Sequence, residues 1–367
     1  MKAIVSQPEL ATVVGRIQSI ISQKPAIPIL ANLLIEACDG ALWLSASDLT
    51  VSVRVSVEAK VLEEGAITLP ARRFFQLLRE LTMPQITIET SGSEIASIEA
   101  GPSHFKIHGM RKSEFPQLPD LTGGLKLDVE SSLLKSLLSR TAFAAAAREE
   151  DRQMLSGVSI QSQGGVATFI GTDGKRLARL KADVDLSKEE MGSYVIPIKA
   201  VEEIVKMLDG KEPSVRLSLT QDKIGVESGR VLLISKLLSG QYPDVSRVIP
   251  KKTPQSISLH REELIALLRQ VALFTSESSS SVRFSFSPGS LQLSAMSGEI
   301  GEGKVSMPVH YNGPKIDIAF NPGFFLDILR HSEDETVNFD ITDPYNPGLI
   351  TDSTSAEFVI MPMRLEL

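Results

Sequence analysis

The 367-residue chain carries the same arrangement of elements three times, and this internal repetition limits its possible folds more than any other feature. In each repeat, a strand that ends in proline runs into an amphipathic helix. The prolines are Pro70, Pro197 and Pro322, which lie 127 and 125 residues apart. Because proline is common in the first turn of a helix, we expect three similar repeats in tandem.

Each repeat also opens with a short alternating strand and a second amphipathic helix, whose first residues are acidic or helix-capping. Between the helices, apolar and polar residues alternate with period two, which predicts half-buried antiparallel strands. Turn residues divide these strands at equivalent places: Asp39-Gly40, Gly164-Gly165 and Pro288-Gly289. The six predicted helices are 8–22, 71–81, 130–141, 198–208, 260–272 and 322–331.

Two helices packed on antiparallel sheet make each repeat an α+β layer structure. We place three domains at 1–125 (N-terminal), 126–254 (central) and 255–367 (C-terminal), with the serine run at 276–281 as a mobile loop. If sheets continue edge to edge between repeats, two chains can close head to tail as a symmetric dimer ring. Twelve helices spaced about 9 Å apart would surround a hole of roughly 25 Å, which is wide enough for duplex DNA.

The net charge of −7 is distributed unevenly. The six predicted helices sum to +3, which leaves −10 for the rest of the chain. A less acidic helical lining would admit DNA while making few tight phosphate contacts. Because no apolar run approaches the roughly 20 residues of a membrane span and no signal peptide is evident, we expect a cytoplasmic protein that does not bind membranes.

The sequence shows no pattern typical of catalysis. The single cysteine, Cys38, excludes a disulfide or a thiolate metal cluster within one chain, and the five histidines form no HExxH pair. GTDGKR at 171–176 lacks the spacing of a phosphate-binding loop, and there is no Gly-x-Ser-x-Gly motif. We therefore expect no enzymatic activity, no cofactor and no metal. An enzyme and a peptide-binding scaffold that does not encircle DNA remain the alternatives.

Several segments resemble the bacterial DNA polymerase III beta subunit family, the beta sliding clamps. They are FIGTDGKRLA (169–178), YPDVSRVIP (242–250), VIMPMRL (359–365), KPAIPILANLLIEA (24–37) and LSASDLTVSV (44–53). The resemblance covers essentially the whole chain and implies a head-to-tail homodimer ring of three-domain subunits. Such a ring is a DNA replication processivity factor. A clamp loader complex that consumes ATP closes it around double-stranded DNA, independently of sequence, and it tethers the DNA polymerase III alpha subunit, other polymerases and repair proteins.

The resemblance also implies three sets of site residues. A partner-peptide pocket between the second and third domains would be formed by Leu155, Thr172, Gly174, Arg176, Leu177, Pro243, Arg247, Val248, Val359, Ile360, Met361, Pro362, Met363 and Arg364. Its apolar residues suit leucine or phenylalanine side chains of a peptide, and arginines at its rim can pair with acidic flanks.

DNA contact is implied for Lys24, Arg148, Arg152 and Lys199, and a place at the dimer interface for Phe105, Leu273 and Phe274. The sequence departs from the family pattern at Met154 and Lys175, where tyrosine and histidine are common. These two departures leave the peptide preference open.

Overall fold

The computed structural model of the chain describes residues 1–22, 25–90, 94–147, 153–184, 192–210, 212–250, 256–276 and 280–364. The chain packs as two compact units: unit 1 is Met1–Ser132 with Glu203–Leu237, and unit 2 is Leu133–Glu202 with Leu238–Leu367. These units cut across the three repeats because strands of neighbouring repeats share sheets. The three domain limits given above therefore remain a prediction.

Six α-helices lie in the described residues, two in each repeat, as predicted. They are α1 (Gln7–Ile17), α2 (Ala71–Glu80), α3 (Ser131–Ala142), α4 (Ile198–Met207), α5 (Arg261–Ala272) and α6 (Pro322–His331). The side chains of His260 and Asn321 accept hydrogen bonds from the first amides of α5 and α6. None of the described helices is long and apolar enough to cross a membrane.

The predicted end of the first helix, residue 22, is wrong. The α-helix stops at Ile17, continues as a 3-10 turn over Gln18–Ile20, and gives way to extended backbone at Ile21. Ile20 is still buried in this tighter turn, so the apolar pattern outlasts the α-helix. The structure describes only part of the predicted serine loop, since 277–279 lie outside the described residues.

Twenty-four strands are found in the described residues. The first repeat contains β1 (Lys2–Ser6), β2 (Asn32–Cys38), β3 (Ala41–Ser47), β4 (Val51–Glu63), β5 (Gly65–Pro70), β6 (Gln85–Thr90), β7 (Ile95–Ala100) and β8 (Ser103–His108). The second contains β9 (Leu125–Glu130), β10 (Gly157–Gln163), β11 (Val166–Thr172), β12 (Arg176–Asp183), β13 (Gly192–Pro197), β14 (Ser214–Leu219), β15 (Lys223–Ser228) and β16 (Val231–Lys236). The third contains β17 (Ser256–His260), β18 (Val282–Ser287), β19 (Ser290–Ser297), β20 (Gly301–Pro308), β21 (Ile316–Phe320), β22 (Thr336–Asp340), β23 (Gly348–Thr351) and β24 (Glu357–Ile360).

Each repeat divides its strands in the same way. The first strand joins the last three, as in β9 with β14, β15 and β16, and the four middle strands pair with one another, as in β10 to β13. Neighbouring repeats then share a sheet, because β4 pairs antiparallel with β16 and β12 pairs antiparallel with β24. The expectation that sheets continue edge to edge from one repeat to the next is confirmed.

The predicted turns connect three equivalent hairpins, β2–β3, β10–β11 and β18–β19. The backbone is left-handed at Gly40, Gly164, Gly165 and Gly289, with φ between +63° and +83°. Glycine adopts this conformation without the steric cost of a Cβ. The glycines in these turns therefore predict the hairpins for a local steric reason.

Candidate functional site

A tight turn between β11 and β12 sets the geometry of the predicted peptide site in unit 2. The Thr172 hydroxyl accepts a hydrogen bond from the Gly174 amide at 3.1 Å and donates one to the Arg176 carbonyl at 2.6 Å. The Asp173 carboxylate accepts from the amides of Lys175 and Arg176. Gly174 has a φ of +84°, which suits glycine. The turn thus fixes where β12 begins.

Beside this turn lies a buried apolar cluster that contains three of the predicted site residues, Leu155, Leu177 and Val359. Leu177 and Val359 are direct cross-strand neighbours in the β12–β24 pair. The other members are Ile170, Val195, Tyr242, Val245 and Leu349, with Met154, Ala146, Leu238 and Ile249 packed at its edge. Burial raises the pKa of the Tyr242 hydroxyl well above its ordinary range. The cluster is therefore a packed apolar core beside the turn.

The segment after β24 follows the cluster member Val359 with side chains that reach solvent. Met361 is 40% exposed, and its amide donates to the Lys175 carbonyl at 2.9 Å. The Met363 amide donates to the Ala319 carbonyl at 2.8 Å. Ile360 is buried, whereas Pro362 and Met363 are half-buried. Two backbone hydrogen bonds therefore fix the position of the segment that follows β24.

The segment that follows Tyr242 contributes an exposed flank. Pro243, Arg247 and Val248 are exposed, and Val248 is 45% accessible. Asp244 accepts hydrogen bonds from the amide and the hydroxyl of Ser246, and this turn presents Arg247 to solvent. The flank thus offers an apolar side chain and a cation beside each other.

The three predicted arginines differ in environment. Arg247 and Arg364 are exposed, as a rim position requires. Arg176 is not at a rim: its guanidinium is mostly buried, pairs with Asp173 and Asp327, and lies over the ring of Phe324 at 4.6 Å. The centre of the Phe143 ring lies 5.5 Å from the same guanidinium. Because Asp327, Phe324 and Phe143 are distant in sequence from Arg176, sequence reasoning missed them.

Three of the four predicted DNA-contact residues, Lys24, Arg148 and Arg152, lie outside the described residues. Lys199 is half-buried near the start of α4. The structure therefore describes the local environment of only one member of this set.

The predicted interface residues lie on an edge strand in unit 1 and at the end of a helix in unit 2. In unit 1, Phe105 is exposed on β8, the last strand of its sheet in the described residues. In unit 2, Leu273 is 72% exposed at the end of α5. The Phe274 ring packs over Gly303 of β20, where a Cβ would lie 2.5 Å from the ring. Sequence reasoning missed Gly303, and also Met296 and Ile300, which are exposed apolar residues of the β19–β20 hairpin.

Metal binding finds no support in the described part of the chain, which contains no group of three or more histidine, cysteine, aspartate or glutamate side chains able to share an ion. Cys38 is half-buried and unpaired with any other thiol.

Three family models of the DNA polymerase III beta subunit match the chain in succession. The N-terminal domain matches residues 1–119, the central domain 128–244 and the C-terminal domain 246–364. The chain belongs to the DNA polymerase III beta subunit family. As a member of it, the chain has the three-domain clamp fold and acts as a sliding clamp, a processivity subunit that performs no catalysis.

Curated relatives of this family extend over the full chain. The beta sliding clamp of Chlamydia pneumoniae is 53% identical over 365 residues, which cover 100% of this chain and 99% of the relative. The beta sliding clamp of Escherichia coli K12 is 30% identical over 369 residues, with both chains covered completely. Among solved structures, a sliding clamp from Pseudomonas aeruginosa bound to griselimycin matches with a TM-score of 0.95, 27% identity and complete coverage of both chains.

Proposed function

We propose that two copies of this chain close head to tail around duplex DNA, and that the apolar cluster of unit 2 holds short peptides of polymerases and other partners. The ring would tether them topologically, so that a bound polymerase cannot diffuse away from its template. A clamp loader complex would open and close it. Replication in bacteria takes place in the cytoplasm, where we expect this chain to act.

The strand pairing at the two repeat junctions carries the proposal. β4 and β12 are equivalent strands of the first and second repeats, and each pairs with an equivalent strand of the next repeat, β16 or β24. The matching strand of the third repeat is β20, and the matching strand of the first repeat is β8. Both end their sheets in the described residues. Unpaired edges are open to another chain, and a symmetric dimer joins β20 to β8 twice.

The equivalence also predicts the register of the dimer seam, which is the pairing of β20 with β8 of the partner subunit. Ala178 faces Phe358 in the β12–β24 pair, and Val53 faces Leu233 in the β4–β16 pair. At the seam, the same positions are Gly303 and Phe105 of the partner subunit. Since Phe274 already covers Gly303, the two phenylalanine rings would meet there.

Cross-linking tests this register. Lys304 should face His104 of the partner subunit, because Arg179 faces Glu357 at the equivalent position. In a Cys38→Ser background, a chain with His104→Cys and Lys304→Cys should be joined into covalent dimers by a short bismaleimide. Each single cysteine variant is the matched control and should stay monomeric in denaturing gels. Equal yields from single and double variants would contradict the register.

The apolar cluster supports peptide binding because apolar and cationic side chains that reach solvent follow two of its members in sequence: Arg247 and Val248 after Val245, and Met361, Met363 and Arg364 after Val359. Such a surface suits an extended segment with leucine or phenylalanine anchors and acidic flanks. We assign the peptide contacts to the residues named for this pocket in the sequence, with Arg176 acting as a brace for the turn rather than as a rim cation.

Peptide binding can be measured by fluorescence anisotropy with a labelled peptide that carries a Leu-Phe anchor and an acidic flank. Met361→Ala should weaken binding roughly tenfold, since one buried apolar anchor contact is worth about 1–3 kcal/mol. Met83→Ala is the matched control, because Met83 is exposed to the same extent in unit 1. Equal affinities of the two variants would remove Met361 from the site.

Encirclement itself is tested by retention on DNA. The loader-assembled protein is placed on nicked circular DNA at high salt, and the circle is then cut. Retention on circles with release from cut DNA supports the ring, because a topological link is insensitive to salt whereas phosphate contacts are not. Salt-sensitive binding that is indifferent to cutting would favour a peptide-binding scaffold that does not encircle DNA.

A further inference from the structure

Unit 1 contains a pocket of about 580 Å³ that belongs to neither the peptide site nor the seam. It lies between β2, β3 and β4 and the segment 112–118. Its apolar lining comes from Leu34, Phe115, Pro116 and Leu118, and its polar lining from Glu36, Ser45, Arg54, Lys112, Ser113 and Gln117. A pocket of this size can enclose a small ligand or a terminal residue of a peptide.

The charges in this pocket are unbalanced toward the positive side. Lys112 pairs closely with Glu36 at 2.6 Å, whereas Arg54 reaches the same carboxylate only at 3.4 Å. Two cations thus share one anion. The Nε of Arg54 is buried and has no acceptor among the described residues. A buried donor without a partner costs free energy, so Arg54 retains capacity for a further acceptor.

Comparison with the second repeat shows what Arg54 lacks. Leu34, Ser45 and Arg54 are cross-strand neighbours on β2, β3 and β4. The equivalent row on β10, β11 and β12 is Ser159, Ile170 and Arg179. These two rows match position for position.

The next strand in each row differs. Arg179 faces Glu357, and its Nε donates to that carboxylate at 2.6 Å. Arg54 faces Leu232 instead. The first repeat therefore keeps the arginine but not the carboxylate that satisfies it in the second, and the pocket opens beside it.

We propose that this pocket binds a carboxylate attached to an apolar group, as in the C-terminal leucine of a peptide or a free N-acyl amino acid. A carboxylate in the pocket can accept hydrogen bonds from the guanidinium of Arg54 and neutralises the excess cation. The apolar group would pack on Leu34, Phe115 and Leu118. The site is independent of the ring and of the peptide cluster in unit 2, so failure of either leaves it standing.

The chain carries its own reporter for this pocket. Trp43 is the single tryptophan, and the Arg54 guanidinium lies 4.6 Å from the centre of its ring. A ligand that draws on Arg54 should alter this stacking and with it the Trp43 fluorescence. The full-length protein is titrated with N-acetyl-L-leucine, with the neutral N-acetyl-L-leucinamide and with acetate. We expect a saturable change with N-acetyl-L-leucine, and at least roughly tenfold weaker binding of the other two.

Two variants separate the arginine from general effects. Leu232→Glu supplies the carboxylate that the second repeat has, so it should satisfy Arg54, leave the melting temperature unchanged or higher, and weaken N-acetyl-L-leucine binding roughly tenfold or more. Arg54→Gln should weaken binding equally. Arg216→Gln is the matched control, because Arg216 is an exposed arginine of unit 1 paired with Asp128, and it should bind as the unaltered chain does.

A pentapeptide that ends in leucine, with a free or an amidated C-terminus, distinguishes the sources of the carboxylate. Tighter binding of the free-acid peptide than of N-acetyl-L-leucine assigns the site to a peptide C-terminus, and equal binding assigns it to the terminal group alone. Equal binding of acid and amide forms overturns the proposal, as does full-strength binding by Leu232→Glu or no saturable binding of any acid form.

Discussion

Arg176 at the start of β12 and Asp327 on α6 form an ion pair, with 2.6 Å between the guanidinium Nη1 and the carboxylate Oδ2. This pair joins the second and third repeats inside unit 2. Because Phe143 and Phe324 flank the same guanidinium, the charge is held where water has little access. The turn that begins β12 is therefore anchored from a helix 151 residues away.

We expect Asp327→Asn to lower the free energy of unfolding by about 1–3 kcal/mol, because Arg176 would keep only Asp173 as a charged partner. Arg330→Gln is the control, since Arg330 is the exposed partner of the same carboxylate, and exposed pairs contribute about 0–1 kcal/mol. Urea denaturation followed by circular dichroism measures both. Equal losses of unfolding free energy in the two variants would mean that the Arg176–Asp327 pair contributes no more than the exposed pair.

A second buried pair allows a comparison between repeats. Arg140 on α3 contacts Glu333 and Asp352, and the Asp352 side chain is 0% exposed. Its counterpart on α1, Arg16, is half exposed and pairs with Asp209. Arg140→Met should cost about 3–5 kcal/mol, because it strands a buried carboxylate, whereas Arg16→Met should cost less than about 1 kcal/mol. Similar melting temperatures for the two variants would contradict this ranking.

The first repeat contains the same turn as the peptide site, but with strain in its backbone. The amide of Leu49 donates to Ser47, and Asp48 accepts from the amides of Thr50 and Val51, as in the turn at 172–176. Leu49 has a φ of +73° where the second repeat has Gly174. Leu49→Gly should therefore raise the free energy of unfolding by about 1 kcal/mol.

Leu62→Gly provides the control for that change, since Leu62 is similarly exposed but lies within β4. Glycine should destabilise there by about 0.5–1 kcal/mol. Thermal denaturation would reveal the opposite signs, and a loss of stability in both variants would argue against strain at Leu49.

Asp244, next to the exposed Arg247, should titrate abnormally. The hydroxyl of Ser246, and then its amide, donate to this carboxylate and hold the pKa of Asp244 below its ordinary value of 3.8. Because its pKa is lowered in the folded state, Asp244 stabilises the fold at pH values above its ordinary pKa. This stabilisation is lost as the pH falls through the folded-state pKa. In Ser246→Ala, carbon-13 NMR should show the pKa of Asp244 moving up toward the ordinary value. The pKa of Asp343, which its own turn lowers, should stay constant and serves as the internal reference.

The seam can be weakened without touching a core. Replacing both Leu273 and Phe274 with alanine should shift sedimentation from dimer toward monomer at micromolar concentration, since each apolar side chain lost from an interface costs about 1–3 kcal/mol. Leu62→Ala, which also shortens an exposed leucine, should leave the dimer intact. An unchanged dimer in the double variant would mean that these residues lie elsewhere than at the seam.

Most of the fold could be predicted because its signals are local and occur three times. Five of the six helices begin and end within one residue of the predicted limits, and the glycine turns lie where their left-handed backbone requires them. The exception is α1, where a buried isoleucine continues the apolar pattern past the last α-helical residue. The spacing of apolar residues indicates which side chains are buried. Buried side chains occur in α-helices and in 3-10 turns, so this spacing does not distinguish the two.

The site was less predictable because its decisive contacts are distant in sequence. The turn at Thr172 and the apolar side chains followed from resemblance to a family. Nothing near Arg176 in sequence indicates that Asp327 and two phenylalanines hold its guanidinium. Likewise, the requirement for glycine at position 303 is evident only from the Phe274 ring that packs above it. Such contacts follow from the packing of helices and strands that are far apart in sequence, which no single segment encodes.

β4 has 13 residues, and its two ends have different neighbours: Val51–Val55 face β16, whereas 59–63 face β1. A first domain excised from the chain would expose Val51–Val55 as a bare, apolar strand edge. Bare edges of this kind recruit strands from other molecules, so the fragment would aggregate. The first repeat is therefore not a separable module, and its solubility depends on a strand that the chain supplies more than 160 residues later.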